Sequence, residues 1–257
     1  MIHEAATAGF TAAGEAGTYE RGRPPYPAEI VERLVEVGRL GPGRVVLDVA
    51  AGTGRLTRLL VPTGARVLAV EPVAAMRAVF AESCPDIEVI DGTAEAIPRP
   101  GASCDAVTVA QAFHWFDGPA ALAEIGRVLR PGGTLALVWN AQGELADWVD
   151  RVLAITHAAN DQGAPQYSTG AWRSAFTDDP TFGPLSEYHV MTDWEVDADT
   201  VVDRFASVSY VAALPDKRRA DVLGAIREVL DTDPATAGRD RFPMPTRTDL
   251  FWCTKRS

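Results

Sequence analysis

The stretch Arg44–Glu71, RVVLDVAAGTGRLTRLLVPTGARVLAVE, decides how this chain is read. It opens on Val45-Val46-Leu47, a short β-branched apolar run of the kind found in a parallel strand buried on both faces. Asp48 closes the run, and the chain turns through Ala50-Ala51-Gly52-Thr53-Gly54. Leu56, Leu59 and Leu60 then fall at helical spacing, Pro62 and Gly64 end the helix, and a second apolar run, Val67 to Val70, stops at Glu71. Strand, glycine turn, helix and strand make a right-handed βαβ unit with an acid at the tip of each strand.

Ligands of open α/β sheets sit beyond the carboxyl ends of the strands, and small residues in the first turn let the backbone approach them. Glu71 stands where a carboxylate accepts hydrogen bonds from both hydroxyls of a ribose, each contributing ~1.5–3 kcal/mol. A dinucleotide site asks for G-x-G-x-x-G facing a pyrophosphate. Here only Gly52 and Gly54 are present and Thr57 takes the third position, while an anionic Asp48 repels phosphate and suits an amino group. A ligand with a ribose, an ammonium group and no phosphate fits, and S-adenosylmethionine is such a ligand.

The acid, the glycine-rich turn and the second acid resemble the class I S-adenosylmethionine-dependent methyltransferases. The departure lies at Ala50 and Ala51, where that family often has Gly and a small residue; the Ala50 methyl tightens the turn around the methionine carboxylate. The resemblance implies a Rossmann-like α/β fold: a seven-stranded, mostly parallel sheet with helices on both faces, an antiparallel last strand and a small cap.

With 257 residues, 47% apolar and 23% charged, the composition is that of a soluble globular protein able to bury a full core, and a single domain spanning 1–257 is expected. A net charge of −11 disfavours attraction to nucleic acid. Cys84, Cys104 and Cys253 are scattered without metal-ligand spacing, so no metal is expected and a reducing cytoplasm is the plain reading. The start, MIHEAATAGF, has neither basic n-region nor apolar h-region, and no apolar run approaches membrane-spanning length, so no membrane contact is expected. Monomer and homodimer both stay open.

Residues 1–26 are expected to form a lid arm, because Phe10, Tyr19 and Tyr26 are more aromatic than a disordered tail usually is. A helix is expected over 28–37 behind Pro27, with Ile30, Val31, Leu34 and Val35 on one face, and another from Pro72 with Met76, Val79 and Phe80 apolar. Strands are expected at 87–90, 106–109 and 134–140, with a helix over 119–129 ended by the left-handed glycines of Arg130-Pro131-Gly132-Gly133. Residues 27–140 form the cofactor-binding half, 141–184 a cap-like insertion carrying a helix over 145–159, and 185–257 the remainder of the sheet. In that remainder a strand is expected at 188–194, helices at 201–211 and 216–230 on one side of the sheet, and a last strand at 246–254 along its edge.

The family resemblance assigns roles to further positions. The run Tyr19, Arg23, Pro24, Tyr26 and Pro27 resembles the N-terminal segment of the trans-aconitate methyltransferase-like group, which makes Tyr19 and Arg23 candidates to meet the cofactor's carboxylate. Asp91 to Pro98, with Thr93, Ala94 and Glu95, resembles the turn that reads the adenine edge, and Pro72 and Met76 lie near it. Phe113-His114-Trp115-Phe116-Asp117 resembles the same subgroup most closely. The implied cofactor residues are Tyr19, Arg23, Asp48, Ala50, Gly52, Thr53, Gly54, Glu71, Pro72, Met76, Thr93, Ala94, Glu95, Gln111 and Ala112.

Aromatics just past a strand tip wall off a pocket, and ring faces attract a sulfonium by ~0.5–2 kcal/mol. The substrate pocket is accordingly expected to hold Tyr26, Phe113, His114, Trp115, Asn140, Tyr167, Trp172, Arg204 and Tyr210. Two roles stay open for His114, general base and pocket wall. Arg247 and His157 are lesser candidates. The expected activity is methyl transfer to a small molecule at O, N, C or carboxylate, in biosynthesis or secondary metabolism. The alternative is a protein that binds S-adenosylmethionine without transferring its methyl, as a cyclase or a binding module. A nicotinamide dehydrogenase is disfavoured by the missing third glycine. A nucleic-acid methyltransferase is disfavoured by the acidity and by the absence of an Asn/Asp-Pro-Pro-Tyr/Phe run after the fourth strand.

Overall fold

The computed structural model describes residues 22–141, 146–161 and 163–256. Tyr19 and all but the last residues of the expected lid arm lie outside them. Among the described residues one sheet runs in the order β3-β2-β1-β4-β5-β7-β6. Its strands are β1 (Val45–Val49), β2 (Arg66–Val70), β3 (Val89–Ile90), β4 (Cys104–Ala110), β5 (Leu129–Ala141), β6 (Ser186–Val196) and β7 (Phe242–Thr254). β3, β2, β1, β4 and β5 pair in parallel, and β7 runs against both of its neighbours.

Alternation along the strands divides two cores. Val46, Val67, Ala106 and Val138 face α1 (Ala28–Gly38), which buries Ile30 and Leu34 on that side together with Leu56 and Leu60. Leu47, Val49, Val107, Val109, Leu135 and Leu137 face the other way, against Leu122, Ile125 and Val128 of α4 (Gly118–Val128). Strands apolar on both faces therefore lie between helices, as the uninterrupted apolar runs require.

The glycine turn is tighter than its helical spacing suggests, since only α2 (Thr57–Leu60) is α-helical before a 3-10 turn, Val61–Thr63. Gly54, at φ +84°, lies under α3 (Ala74–Ser83): a Cβ there would stand 2.7 Å from Cys84 Sγ and 3.0 Å from the Phe80 ring. Gly52, at φ +59°, has open space where its Cβ would be. Ala50 adopts φ +54° although it carries a Cβ, and Gln111, at the tip of the adjacent β4, adopts φ +60°.

Several expectations are corrected. α3 starts at Ala74, not Pro72, because the Val73 N–H is taken by Glu71 Oε1 at 2.8 Å and Val73 stays extended. The left-handed glycine expected to cap α4 is Gly132, at φ +73°, which bends the start of β5 after Leu129 has already turned extended. The expected helix over 201–211 divides into α6 (Ala198–Ala206), whose first turn Asp197 caps by accepting from the Thr200 N–H, and α7 (Ser209–Ala212).

The last strand is not at the edge. β7 is inserted between β5 and β6, and the exposed β6, with Glu187, His189 and Asp193, takes the outer position, where charge discourages further pairing. Nor do the C-terminal helices lie along the sheet. Residues 242–246 of β7 pair only with the end of β6, beyond the last β5 pair at Ala141–Arg247. This ribbon projects past the carboxyl edge and packs Val196, Phe242 and Met244 against α5 (Asp147–Ala158), α6 and α8 (Asp216–Thr232) through Trp148, Val152, Phe205 and Ile226. A helical cap thus stands over the strand tips. The 3-10 segments Tyr167–Thr169 and Ala171–Phe176 return instead to the α4 face, where Trp172 joins the core.

Gly54→Ala is expected to lower stability by more than about 2 kcal/mol, through left-handed strain plus a side-chain collision. Ala50→Gly relieves comparable strain at the cost of chain entropy, so it leaves stability within about 1 kcal/mol or raises it. Urea unfolding midpoints of both variants check the contrast.

Candidate active site

Glu71 emerges from the tip of β2 only 4% exposed. Its Oε2 accepts from the Gly52 N–H at 2.8 Å and its Oε1 from the Val73 N–H at 2.8 Å. One carboxylate thus ties the β1 turn to the start of α3, and each oxygen keeps a lone pair for a ligand. Burial raises its pKa, opposed by the two backbone donors and by the Arg77 charge. Arg77 also donates to the Glu71 carbonyl at 2.7 Å.

Asp48 behaves differently. It points to the α1 side of the sheet, 1% exposed, where its Oδ2 accepts from Thr57 Oγ1 at 2.6 Å and its Oδ1 from Thr108 Oγ1 at 2.8 Å. Burial pushes its pKa up to about 6 despite those hydroxyls. Its partners lie beneath the turn and Asp48 is not among the residues that line the cavity as expected of a cofactor ligand; it braces the floor.

Above that floor opens a cavity of about 690 Å³. Of the sequence-selected residues it brings together Arg23, Ala50, Gly52, Glu71, Pro72, Met76, Thr93, Ala94, Glu95, Gln111, Ala112, His114, Trp115, Asn140, Tyr167, Trp172, Arg204 and Tyr210, with the lesser candidates His157 and Arg247. It does not reach Asp48, Thr53, Gly54, Phe113 or Tyr26. Thr53 is buried in the turn and Gly54 is sealed against Phe80 and Cys84. Phe113, 1% exposed, is the core residue on which Phe116, Trp172 and Phe176 pack. Tyr26 packs on the α1 side instead.

The end of the N-terminal arm crosses the cavity's edge as a strap. Arg55 Nη2 donates to the carbonyls of Arg23 and Pro24 at 2.9 and 3.1 Å, and Asn140 Nδ2 donates to the Pro24 carbonyl at 2.9 Å. Arg23 Nη2 donates to the Ser207 carbonyl at 3.0 Å, and a Cβ on Gly22 would meet the α6 backbone at 2.6 Å. Asn140 is itself oriented by Thr248, whose hydroxyl donates to its Oδ1 at 2.7 Å.

The outer wall is aromatic. Trp139 stacks on Tyr167 at 4.6 Å and lies 4.7 Å from Trp172, with Phe251 edge-on at 5.9 Å. The Tyr167 hydroxyl donates to Asp249 Oδ2 at 2.6 Å, and Arg247 grips the same carboxylate. Burial, then Asp249, raises the Tyr167 pKa, which keeps the phenol protonated. His114 Nδ1 accepts from Trp139 Nε1 at 3.2 Å, and burial, helped by the Arg23 charge, lowers the imidazole pKa to about 4.

Trp139, Val73, Arg55, Arg173 and Asp249 were not singled out from the sequence. Asp249 was within reach, because Arg247 and Asp249 two apart on a strand share a face. Trp139 was within reach too, as an aromatic at the end of a buried strand. Arg55 and Val73 act through contacts that only the folded turn creates.

The methyltransferase domain family matches residues 47–137. An uncharacterized methyltransferase of Mycobacterium tuberculosis is 38% identical over 229 residues, 89% of this chain and 89% of the relative. The chain belongs to the class I S-adenosylmethionine-dependent methyltransferases. Among solved structures, a candidate type II methyltransferase of Anaeromyxobacter dehalogenans shares the methyltransferase's fold with TM-score 0.65, at 24% identity over 91% of this chain and 97% of that one. Phosphoethanolamine N-methyltransferase 2 of Haemonchus contortus, solved with S-adenosylhomocysteine, aligns with TM-score 0.56 at 14% identity, over 96% of this chain and 58% of that one.

The methyltransferase's own residues fit a nucleoside: a buried, pre-oriented carboxylate with spare acceptor capacity faces a turn whose Gly52 leaves room for close approach. Among the described residues no His/Cys/Asp/Glu group is arranged to hold a metal, and no helix is long and apolar enough to cross a membrane.

Glu71→Ala removes two charge-assisted acceptors, so affinity for S-adenosylhomocysteine is expected to fall at least tenfold by calorimetry; a fall of less than about threefold removes Glu71 from the ribose site. The imidazole of His114 is expected to titrate near pH 4 by NMR. Because the unfolded chain takes up this proton first, His114 lowers stability as pH falls from its ordinary 6.5 toward 4. Asp48 has the opposite sign, since the folded state protonates first below about 6 and gains stability as pH falls toward 3.8.

Proposed function

We propose that this enzyme transfers the methyl of S-adenosylmethionine to a small-molecule acceptor held under the helical cap. The supporting observation is the continuity of the cavity. It runs from Glu71 and Gly52 at the strand tips to the aromatic wall of Trp139, Tyr167 and Trp172, so cofactor and acceptor would share one space. Its volume of about 690 Å³ suits a nucleoside with a small partner.

Glu71 would hold the ribose hydroxyls, Ala94 and Glu95 the adenine edge, and the backbone of Ala50 to Gly52, with Gln111 and Arg23, the methionine end. Bound there, S-adenosylmethionine supplies an electrophilic methyl on a sulfonium and a neutral sulfide as leaving group. The residues' part is alignment and water exclusion, which contribute ~7–11 kcal/mol where geometry is well matched. Burial of the aromatic wall lowers the local dielectric, which favours the loss of charge when an anionic acceptor attacks a cation.

Mass spectrometry of incubations with S-adenosylmethionine and cell-extract metabolites tests this reading. A metabolite gaining one CH2 unit, with S-adenosylhomocysteine formed in equal amount, is expected. Turnover of a metabolite with no mass gain and no S-adenosylhomocysteine would instead establish the non-transferring alternative.

A further inference from the structure

His114 stands in the 3-10 turn Phe113–Trp115 that leaves β4, beside Trp139 near the end of β5. Trp139 Nε1 lies 3.2 Å from His114 Nδ1. An indole N–H only donates, so Nδ1 must accept with its lone pair, and a neutral imidazole then carries its proton on Nε2. Trp139 cannot turn away to release it. It is 1% exposed, stacked on Tyr167, packed on Trp172 and met edge-on by Phe251. Among the described residues, Nδ1 to Trp139 is the single hydrogen bond of His114, and His114 is among the residues that line the cavity. Nε2–H is left for whatever occupies that space.

We propose that Trp139 locks His114 in the Nε2–H tautomer, so that His114 offers the methyl acceptor a neutral hydrogen-bond donor and does not act as a base. Trp139 is the positioning residue. The inference rests on the small-molecule reading above and narrows it. The acceptor carries a carbonyl or carboxylate oxygen within reach of Nε2, and it brings its nucleophilic lone pair without deprotonation by this ring. A cationic imidazole would need the lone pair that the indole already occupies, so the donor stays uncharged.

The test uses full-length protein loaded with S-adenosylhomocysteine and benzoate as probe, a carboxylate on a ring suited to the aromatic wall. In 15N-histidine NMR, His114 is expected to show a bare Nδ1 and a protonated Nε2, and Trp139→Phe to show a mixture of tautomers. Benzoate is expected to shift the Nε2–H resonance saturably. His114→Gln, which keeps an N–H donor but is no base, should bind benzoate within about threefold of wild type, and His114→Phe at least about tenfold more weakly.

A protonated Nδ1, no saturable shift with benzoate, or equal losses in the Gln and Phe variants overturns the proposal. S-adenosylhomocysteine affinity, unchanged in both His114 variants, separates these outcomes from damage to the cofactor end. Failure of the wild-type protein to methylate any metabolite overturns the small-molecule reading and leaves the tautomer result standing.

Discussion

The Glu71 carboxylate is the contact on which the site depends. It accepts one backbone N–H from the β1 turn and one from the entry to α3, so a single side chain sets the separation of two strand tips and the start of a helix. A buried carboxylate is costly unless hydrogen-bonded, and two N–H donors at 2.8 Å offset that cost while leaving acceptor capacity toward the cavity. The turn around it is held open by left-handed backbone at Ala50 and Gly52, and Gln111 takes the same conformation on the neighbouring strand. Non-glycine residues in that region mark strain maintained by the surrounding structure, and both lie where the ligand space begins.

Asp48 illustrates how near in sequence two acids can be and how unlike in role. Alternation puts it on the opposite face of the sheet from Leu47 and Val49, under the turn. Thr57 occupies the position where a dinucleotide site would have its third glycine, and its hydroxyl is what Asp48 accepts. The residue that argues against a pyrophosphate site is therefore part of the brace beneath the turn.

The outer half of the site is assembled from distant parts of the chain. The β6–β7 ribbon carries the cap beyond β5, while the strap at residues 22–26 is tied to the turn by Arg55, to β5 by Asn140 and to the α6–α7 connection by Arg23. Trp139, from the end of β5, is where these parts meet the chemistry, because it both stacks the aromatic wall and orients His114.

By itself the sequence determined the βαβ unit around the glycine turn. Strand–turn–helix–strand order, the two acids, the small residues between them and the apolar periodicity are local signals, and local geometry places Ala50, Gly52 and Glu71 on one ligand space. The seven-strand architecture with a reversed last strand came from the family resemblance, and the uninterrupted apolar runs placed the central strands between layers of helices. Only the tertiary structure decided which way Asp48 points, that β7 lies inside β6, and that the C-terminal helices join α5 as a cap. It alone decided that His114 meets an indole donor and that Asp249 serves Tyr167. Those outcomes depend on pairings between residues tens of positions apart, whose partners are chosen by packing and by the need of each buried polar group for a hydrogen bond, and no local pattern encodes that choice.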